Sequence, residues 1–217
     1  MARWRLRLIV CTLLGVSGCA TLDEERWREF NRDGVELFAK GDYRNALDSF
    51  DYALTFRPAD PVLVFNMAQC YDRLGAVKKA EELYVYSLQR DPKYADAQLA
   101  LLALQYRTGR AQDANRQIQE WLQREPQSPD AYVADAWRLR QERAYPMAQA
   151  RLQQAYALDG QNRRVLTEMA ILDETQGMPD RALVLYQQIL EREPNQLEIA
   201  ERVRNLQSRG VKAPIPN

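Results

Sequence analysis

The 217-residue chain carries 30 basic and 30 acidic side chains, 46% hydrophobic residues and no histidine. This composition is typical of a globular protein, and the balanced charge excludes a partner bound mainly by electrostatics, such as nucleic acid. Without histidine there is no Ser/His/Asp or Cys/His nucleophile pair and no imidazole metal site. We therefore predict no catalytic residues, no metal and no cofactor.

Residues 1–18 have the pattern of an export signal: a basic start, an apolar run over residues 8–16, and then small residues. The apolar run has nine residues, whereas a membrane-spanning helix needs about 20. Cleavage is therefore favoured over a permanent span. Removing this leader leaves 27 basic and 30 acidic side chains.

Residues 16–19, Val-Ser-Gly-Cys, resemble the bacterial lipobox. The resemblance implies that Cys19 becomes an acylated N-terminus and that residues 19–26 are a lipidated linker. Two or three acyl chains anchor a protein stably, whereas a single chain binds only marginally. Ala20, in place of aspartate, resembles an outer-membrane address and implies a protein that faces the periplasm. The alternative is an ordinary cleaved signal with an incidental cysteine.

Cys70 is the one cysteine left after the leader and Cys19 are set aside. It has no partner for an internal disulfide in an oxidising compartment. Its apolar, mid-helical setting predicts a buried, unreactive thiol, with a reactive thiol as the alternative.

A 34-residue period runs through the chain. Four prolines and one glycine mark it, in the order Pro58, Pro92, Pro126, Gly160 and Pro194. The period divides the chain into five repeats without insertion or deletion. These repeats are 27–60, 61–94, 95–128, 129–162 and 163–196.

Small residues recur at fixed places in every repeat. The twentieth residues are Ala46, Ala80, Ala114, Ala148 and Ala182. The eighth residue is also small, except for Leu102 in the third repeat. Small side chains let two helices approach closely, so this spacing predicts a helix pair in each repeat.

Each repeat is predicted to form two helices, and no segment shows the alternation of apolar and polar residues that is typical of a strand. The first helix ends at a glycine in four of the repeats, namely Gly41, Gly75, Gly109 and Gly177. The second helix ends before the repeat's closing proline, since proline cannot continue a helix. Pro146 and Pro179 fall where second helices begin, and there a missing N–H costs nothing.

The pattern resembles the tetratricopeptide-repeat (TPR) family over residues 27–196. The first repeat carries most of the signature, with Trp27, Phe30, Gly34, Leu37, Ala46, Phe50, Ala53 and Pro58. The resemblance implies an all-α, right-handed solenoid of five helix-turn-helix repeats with a C-terminal capping helix. The fourth repeat departs from it, because Glu142 and Arg143 stand where a Leu-Gly turn is usual.

The segment after the last repeat divides into two parts. Apolar and polar residues at helical spacing predict a capping helix over 197–209. Residues 210–217, which begin with Gly210 and contain two prolines, predict an extended, flexible tail.

In the TPR family the second, fifth, ninth and twelfth residues of each repeat line the inner wall, which in this chain is largely apolar and aromatic. The residues assigned to a partner groove are Phe38, Phe65, Gln69, Leu99, Tyr106, Trp137, Arg140 and Ile171. Phe65, Tyr106 and Trp137 are the preferred anchors, because exposed aromatic stripes mark partner sites. The alternative is that packing, the segment 20–26 or self-association covers this stripe. Only Asn66 matches the residues with which TPR co-chaperones hold an acidic C-terminus, so no such clamp is expected.

These patterns together predict a non-enzymatic, protein-binding scaffold held by lipid in the bacterial envelope. Its partner would be a protein or peptide, and the lipid anchor would be its contact with the membrane. The combination resembles the pilotin-like and Tad-type TPR lipoproteins of pilus or secretion assembly. An adaptor for peptidoglycan enzymes and a self-associating, homo-oligomeric structural protein are the alternatives.

Overall fold

The computed structural model describes residues 14–213, with side chains from residue 23 onward. Eleven α-helices and the turns between them make up this range. The helices are α1 (Leu14–Ala39), α2 (Tyr43–Phe56), α3 (Pro61–Arg73), α4 (Val77–Arg90), α5 (Ala95–Arg107), α6 (Ala111–Arg124), α7 (Pro129–Gln141), α8 (Tyr145–Leu158), α9 (Arg163–Thr175), α10 (Pro179–Arg192) and α11 (Leu197–Ser208). The all-helical prediction is confirmed.

Some of the predictions for the N-terminus concern residues that the structure does not describe. Residues 1–13 of the leader and the side chain of Cys19 are not among the described atoms, so signal cleavage and acylation stay predictions. Helix α1 already runs through residues 19–26, which the sequence assigned to a linker. In the described residues, no helix combines the length and the hydropathy that crossing a membrane requires.

Polar side chains fix where several first helices begin. The Asp60 carboxylate accepts hydrogen bonds from the N–H groups of Val62 and Leu63 at the start of α3. Asn162 does the same at the start of α9. These side chains satisfy N–H groups that have no partner inside the helix. Pro146 and Pro179 lie in the first turns of α8 and α10, as predicted.

The turn inside each repeat requires a left-handed residue. Gly41, Gly75, Gly109 and Gly177 adopt φ angles between 76° and 81°. Arg143 occupies the same place in the fourth repeat with a φ of 59°. The turn therefore forms without glycine, and the backbone of Arg143 carries the strain.

The chain divides into two compact units, an N-terminal unit of residues 1–108 and a C-terminal unit of residues 109–217. In the N-terminal unit α1 packs on α2, α2 on α3, α3 on α4 and α4 on α5. In the C-terminal unit each helix also packs on the next one along the chain: α6 on α7, α7 on α8, α8 on α9, α9 on α10 and α10 on α11. Neighbours in sequence are therefore neighbours in space within each unit.

The predicted alanine row lies at the helix contacts. Ala46, Ala80, Ala114, Ala148 and Ala182 are all fully buried. Gly34 is equally constrained, because a Cβ atom there would lie 2.5 Å from Cε1 of Phe50, itself a buried ring. A larger residue at these places would push two helices apart.

Cys70 lies in the core of the N-terminal unit with Phe50 and Leu63. It is fully buried, and this burial raises the pKa of its thiol to about 11. The thiolate is the reactive form, so the position agrees with the predicted unreactive thiol.

Helix α11 closes the core of the C-terminal unit. Ile199, Val203 and Leu206 are buried against α10, so the helix covers an apolar surface as a cap does. The tail begins later than the sequence indicated. Val211 packs on this core, and its N–H donates to the carbonyl oxygen of Leu206. Residues 214–217 lie outside the described range.

Candidate partner-binding surfaces

The first helices of the N-terminal unit, α1, α3 and α5, carry an exposed apolar wall. Val35 on α1 is 49% exposed and Val62 on α3 is 44% exposed. Phe38 on α1 and Leu99 and Tyr106 on α5 are half-buried. Exposed aliphatic side chains and half-buried aromatic rings on the same set of helices offer a contact surface for an apolar partner. We call these five residues the N-terminal wall.

The structure places Phe65 differently from the other predicted anchors. It is 8% exposed, and its ring packs 5.8 Å from that of Tyr84 and 5.2 Å from that of Tyr94. Phe65 therefore belongs to the core of the N-terminal unit and presents little surface to a partner. The helical stripe alone could not reveal this, because both covering rings come from outside α3.

Polar groups border the N-terminal wall. The side-chain amide of Asn66 donates to Oδ1 of Asn31 at 3.3 Å, so these two amides bind each other. Asp72 forms an ion pair with Arg107. Gln69, another predicted groove residue, is half-buried on α3. The wall thus alternates apolar surface with paired polar groups.

The C-terminal unit has a different wall. Its predicted groove residues Trp137, Arg140 and Ile171 are half-buried on α7 and α9. Arg140 is not open to a partner, because its guanidinium donates to both carboxylate oxygens of Glu168, at 2.6 and 3.3 Å. The structure therefore engages this predicted groove residue in an ion pair within the C-terminal unit.

Two further ion pairs link first helices and the cap in the C-terminal unit. Arg164 on α9 lies 3.5 Å from Asp130 on α7. Arg202 on the capping helix lies 3.5 Å from Glu174 on α9. With Arg140 and Glu168, these residues form what we call the C-terminal charge ladder. The charges join neighbouring helices and are arranged for internal pairing.

Burial raises the pKa of Glu168, and the neighbouring Arg140 guanidinium opposes that shift. The Glu168 side chain is 9% exposed, and that of Arg140 is 17% exposed. A buried carboxylate without its arginine would pay the full desolvation cost of its charge. The pair is therefore a structural connection between α7 and α9.

A second buried charge cluster lies in the fourth repeat, and none of the sequence patterns predicted it. Asp135 on α7 is fully buried and lies 2.7 Å from Arg138 and 2.7 Å from Arg151 on α8. The corresponding places in the second repeat hold Met67 and Cys70, which pack in a core. The signal was present in the sequence, since Asp135 and Arg138 stand where the second, third and fifth repeats have apolar residues.

A depression of about 390 Å³ lies at the end of the C-terminal unit. Its lining is polar and mostly acidic, with Glu174, Glu198, Glu201, Arg202 and Asn205.

Comparison with known proteins identifies the fold. Residues 37–85 match the tetratricopeptide-repeat family model. A thermophilic TPR protein of Thermus thermophilus shares 25% identity at a TM-score of 0.60, over 84% of this chain and 99% of that one. PilF of Pseudomonas aeruginosa shares 16% identity at a TM-score of 0.52, over 86% of this chain and 91% of that one.

Curated relatives match a shorter segment. The TPR repeat-containing thioredoxin TTL4 of Arabidopsis thaliana is 30% identical over 90 residues, which are 42% of this chain and 13% of that protein. The heat-shock cognate co-chaperone sgt12 of Aspergillus fumigatus is 34% identical over 65 residues, which are 30% of this chain and 19% of that protein. The chain therefore spans a minor part of either relative.

By its helices and these matches, the chain has the fold of tetratricopeptide-repeat proteins. The predicted fold of helix-turn-helix repeats with a capping helix is confirmed. TPR folds are generally non-enzymatic scaffolds that bind protein or peptide partners.

Proposed function

We propose that this protein is a lipid-anchored scaffold of the bacterial envelope that holds a protein partner on its N-terminal wall. The observation that carries the proposal is the exposure of Val35 and Val62 on first helices of the unit whose first helices also carry the half-buried rings of Phe38 and Tyr106. The Phe38 ring packs against the core of this unit, whereas Val35 and Val62 keep nearly half of their surface open. A helix or an extended apolar segment of a partner fits such a wall.

The lipid anchor and the cellular role are the finer parts of the proposal. The lipobox-like residues 16–19 and Ala20 support acylation of Cys19 and an outer-membrane location that faces the periplasm. The resemblance to pilotin-like and Tad-type TPR lipoproteins supports a role in the assembly of a pilus or a secretion system. A scaffold tethered in this way would hold its partner close to the membrane.

Site-specific photo-crosslinking in living cells tests the partner wall. A photoreactive residue at Val62 should crosslink a discrete protein, since this side chain stands on the proposed contact surface. The matched control position is Tyr86 on α4, which is 40% exposed but lies on a second helix. Crosslinking that is as strong at Tyr86 as at Val62 would disprove the wall as the specific contact.

Charge substitutions on the N-terminal wall provide a second test, because they should prevent partner binding. Val35→Asp with Val62→Asp places two charges on the wall and should abolish the crosslinked complex, because an apolar contact does not tolerate unpaired charge. Circular dichroism should stay unchanged, as both residues are exposed. Phe65→Ala is unsuitable for this purpose, because it would remove a core side chain.

A further inference from the structure

An aromatic surface lies at the beginning of the N-terminal unit. Tyr52 on α2 is 59% exposed, and its ring stacks 5.4 Å from that of Phe30 on α1. The Phe30 ring also stacks 6.1 Å from that of Phe56. Trp27 lies one turn before Phe30 and is half-buried. We call these four residues the N-terminal aromatic edge.

The N-terminal aromatic edge is more exposed than the corresponding residues of later repeats, which the preceding repeat covers. Phe30 is the fourth residue of its repeat, and the corresponding Val64 and Leu166 are 2% and 1% exposed. Their helices, α3 and α9, pack on the second helix of the preceding repeat. Among the described residues, α1 has no such helix before it, so Phe30 is only half-buried.

Arginine accompanies these rings. The guanidinium of Arg57 lies 4.7 Å from the centre of the Trp27 ring, and that of Arg28 lies 5.8 Å from it. Both arginines form ion pairs with Glu24. Glu24 lies between the two guanidinium groups, and Asp23, Glu25 and Glu29 lie on the same stretch of α1, so the edge carries charges of both signs. Tyrosine, tryptophan and arginine are the side chains that suit a membrane–water boundary, because each combines an apolar body with a polar end.

The position of the predicted anchor decides which occupant fits this edge. Cys19 lies on the same helix, eight residues before Trp27 and eleven before Phe30. At the helical rise, these separations are about 12 and 16 Å along α1. An inclined α1 would therefore bring the edge to the headgroup layer of the membrane that holds the acyl chains.

We propose that the N-terminal aromatic edge docks on the phospholipid headgroups of the membrane in which Cys19 is anchored. Tyr52 and Trp27 enter the boundary layer, and Arg28 and Arg57 reach lipid phosphates. This inference rests on the proposed lipid anchor and goes beyond it, because the fold itself then contacts the membrane. Docking fixes the orientation of the first repeat and presents the N-terminal wall to partners at the surface.

Tethering makes a weak contact sufficient. Once the acyl chains are inserted, docking of the edge is an intramolecular event at a high effective concentration. The mature chain has a small excess of acidic side chains, 30 against 27 basic ones, so anionic lipid is not required. Vesicles of zwitterionic phosphatidylcholine should support docking, with little dependence on salt.

Quenching by brominated lipid tests the inference on the full lipoprotein. The protein is purified from bacteria, its acylation at Cys19 is verified by mass spectrometry, and it is reconstituted into phosphatidylcholine vesicles that contain lipid brominated near the headgroup. Bromine should quench part of the tryptophan emission, and Trp27→Phe should remove that quenched part. Trp121 and Trp137 remain in this variant and report whether the fold is intact.

A matched pair of tyrosines sharpens the test. Tyr52→Ser should weaken the quenching, whereas Tyr86→Ser should not, although Tyr86 holds the same repeat position and is 40% exposed. An acylated protein whose Trp27 is not quenched would overturn the inference while leaving the anchor intact. Trp27 emission that instead depends on protein concentration would identify a second copy as the occupant. Absence of acylation would overturn the anchor on which the inference rests.

Discussion

Arg143 holds a backbone conformation that four glycines hold at the corresponding places of the other repeats. Its φ of 59° lies in the left-handed region, where a side chain clashes with its own backbone. The same repeat buries Asp135 beside two arginines. Single residues of the fourth repeat therefore depart from the pattern while its helices still form.

Replacing Arg143 with glycine should stabilise the protein. Glycine relieves the left-handed strain, and the expected gain is about 0.5–1 kcal/mol after its greater freedom in the unfolded chain is counted. Urea unfolding of the purified protein measures the change. The matched control is Gly177→Ala, where no atom lies within 4 Å of an added Cβ, so a loss of stability there would come from backbone strain alone. A destabilised Arg143→Gly variant would contradict the strain argument.

At the level of secondary-structure elements, ion pairs connect different helices of the C-terminal unit. The charge ladder links α7 to α9 through Arg140 and Glu168, and α9 to the capping helix through Glu174 and Arg202. Tyr186 on α10 also donates to Glu174 at 2.7 Å. Because each link joins different helices, the ladder favours one register between successive repeats.

Removing Arg140 should be more harmful than neutralising its partner. Arg140→Ala leaves the buried Glu168 carboxylate without a counter-charge and should cost roughly 3 kcal/mol. Glu168→Gln removes the buried charge and should cost less. Chemical unfolding of both variants measures the difference, and the double variant should cost less than the sum of the two single changes.

The deficit of Arg140→Ala should also depend on pH. Burial raises the folded-state pKa of Glu168, so the folded protein binds this proton more tightly than the unfolded chain does. Stability from this group therefore increases as the pH falls through the folded-state pKa. Unfolding at about pH 5 should show a smaller deficit than at about pH 8. A deficit that does not change with pH would rule out Glu168 as its source.

At the scale of the whole molecule, the chain consists of two compact units, each with its own cores. The capping helix α11 completes the C-terminal unit by covering Leu183, Tyr186 and Ile189 of α10. A repeat array needs such a cap, because its last repeat would otherwise expose an apolar face.

Truncating the cap should weaken the unit to which it belongs. Leu206 is 1% exposed, and Leu206→Ala should cost about 2–5 kcal/mol by leaving a cavity. Hydrogen exchange should become faster in α9 to α11, while the amides of α1 to α4 keep their protection. The control on the same helix is Leu197→Ala, because Leu197 is 72% exposed. Equal acceleration throughout the chain would show that the two units unfold together.

The sequence by itself determined the helices, their pairing and their caps. The 34-residue period, the buried alanines and the glycine or proline at most turns act through local sterics and contacts between sequence neighbours, so they can be read from one chain. Only the tertiary structure decided which stripe residues stay open. Phe65 is covered by Tyr84 and Tyr94, and Arg140 is held by Glu168, because the covering groups come from other helices. The exposure of a side chain depends on all its neighbours in space. The spacing of residues along one helix shows which side chains share a face, but it does not show which residues of other helices cover that face.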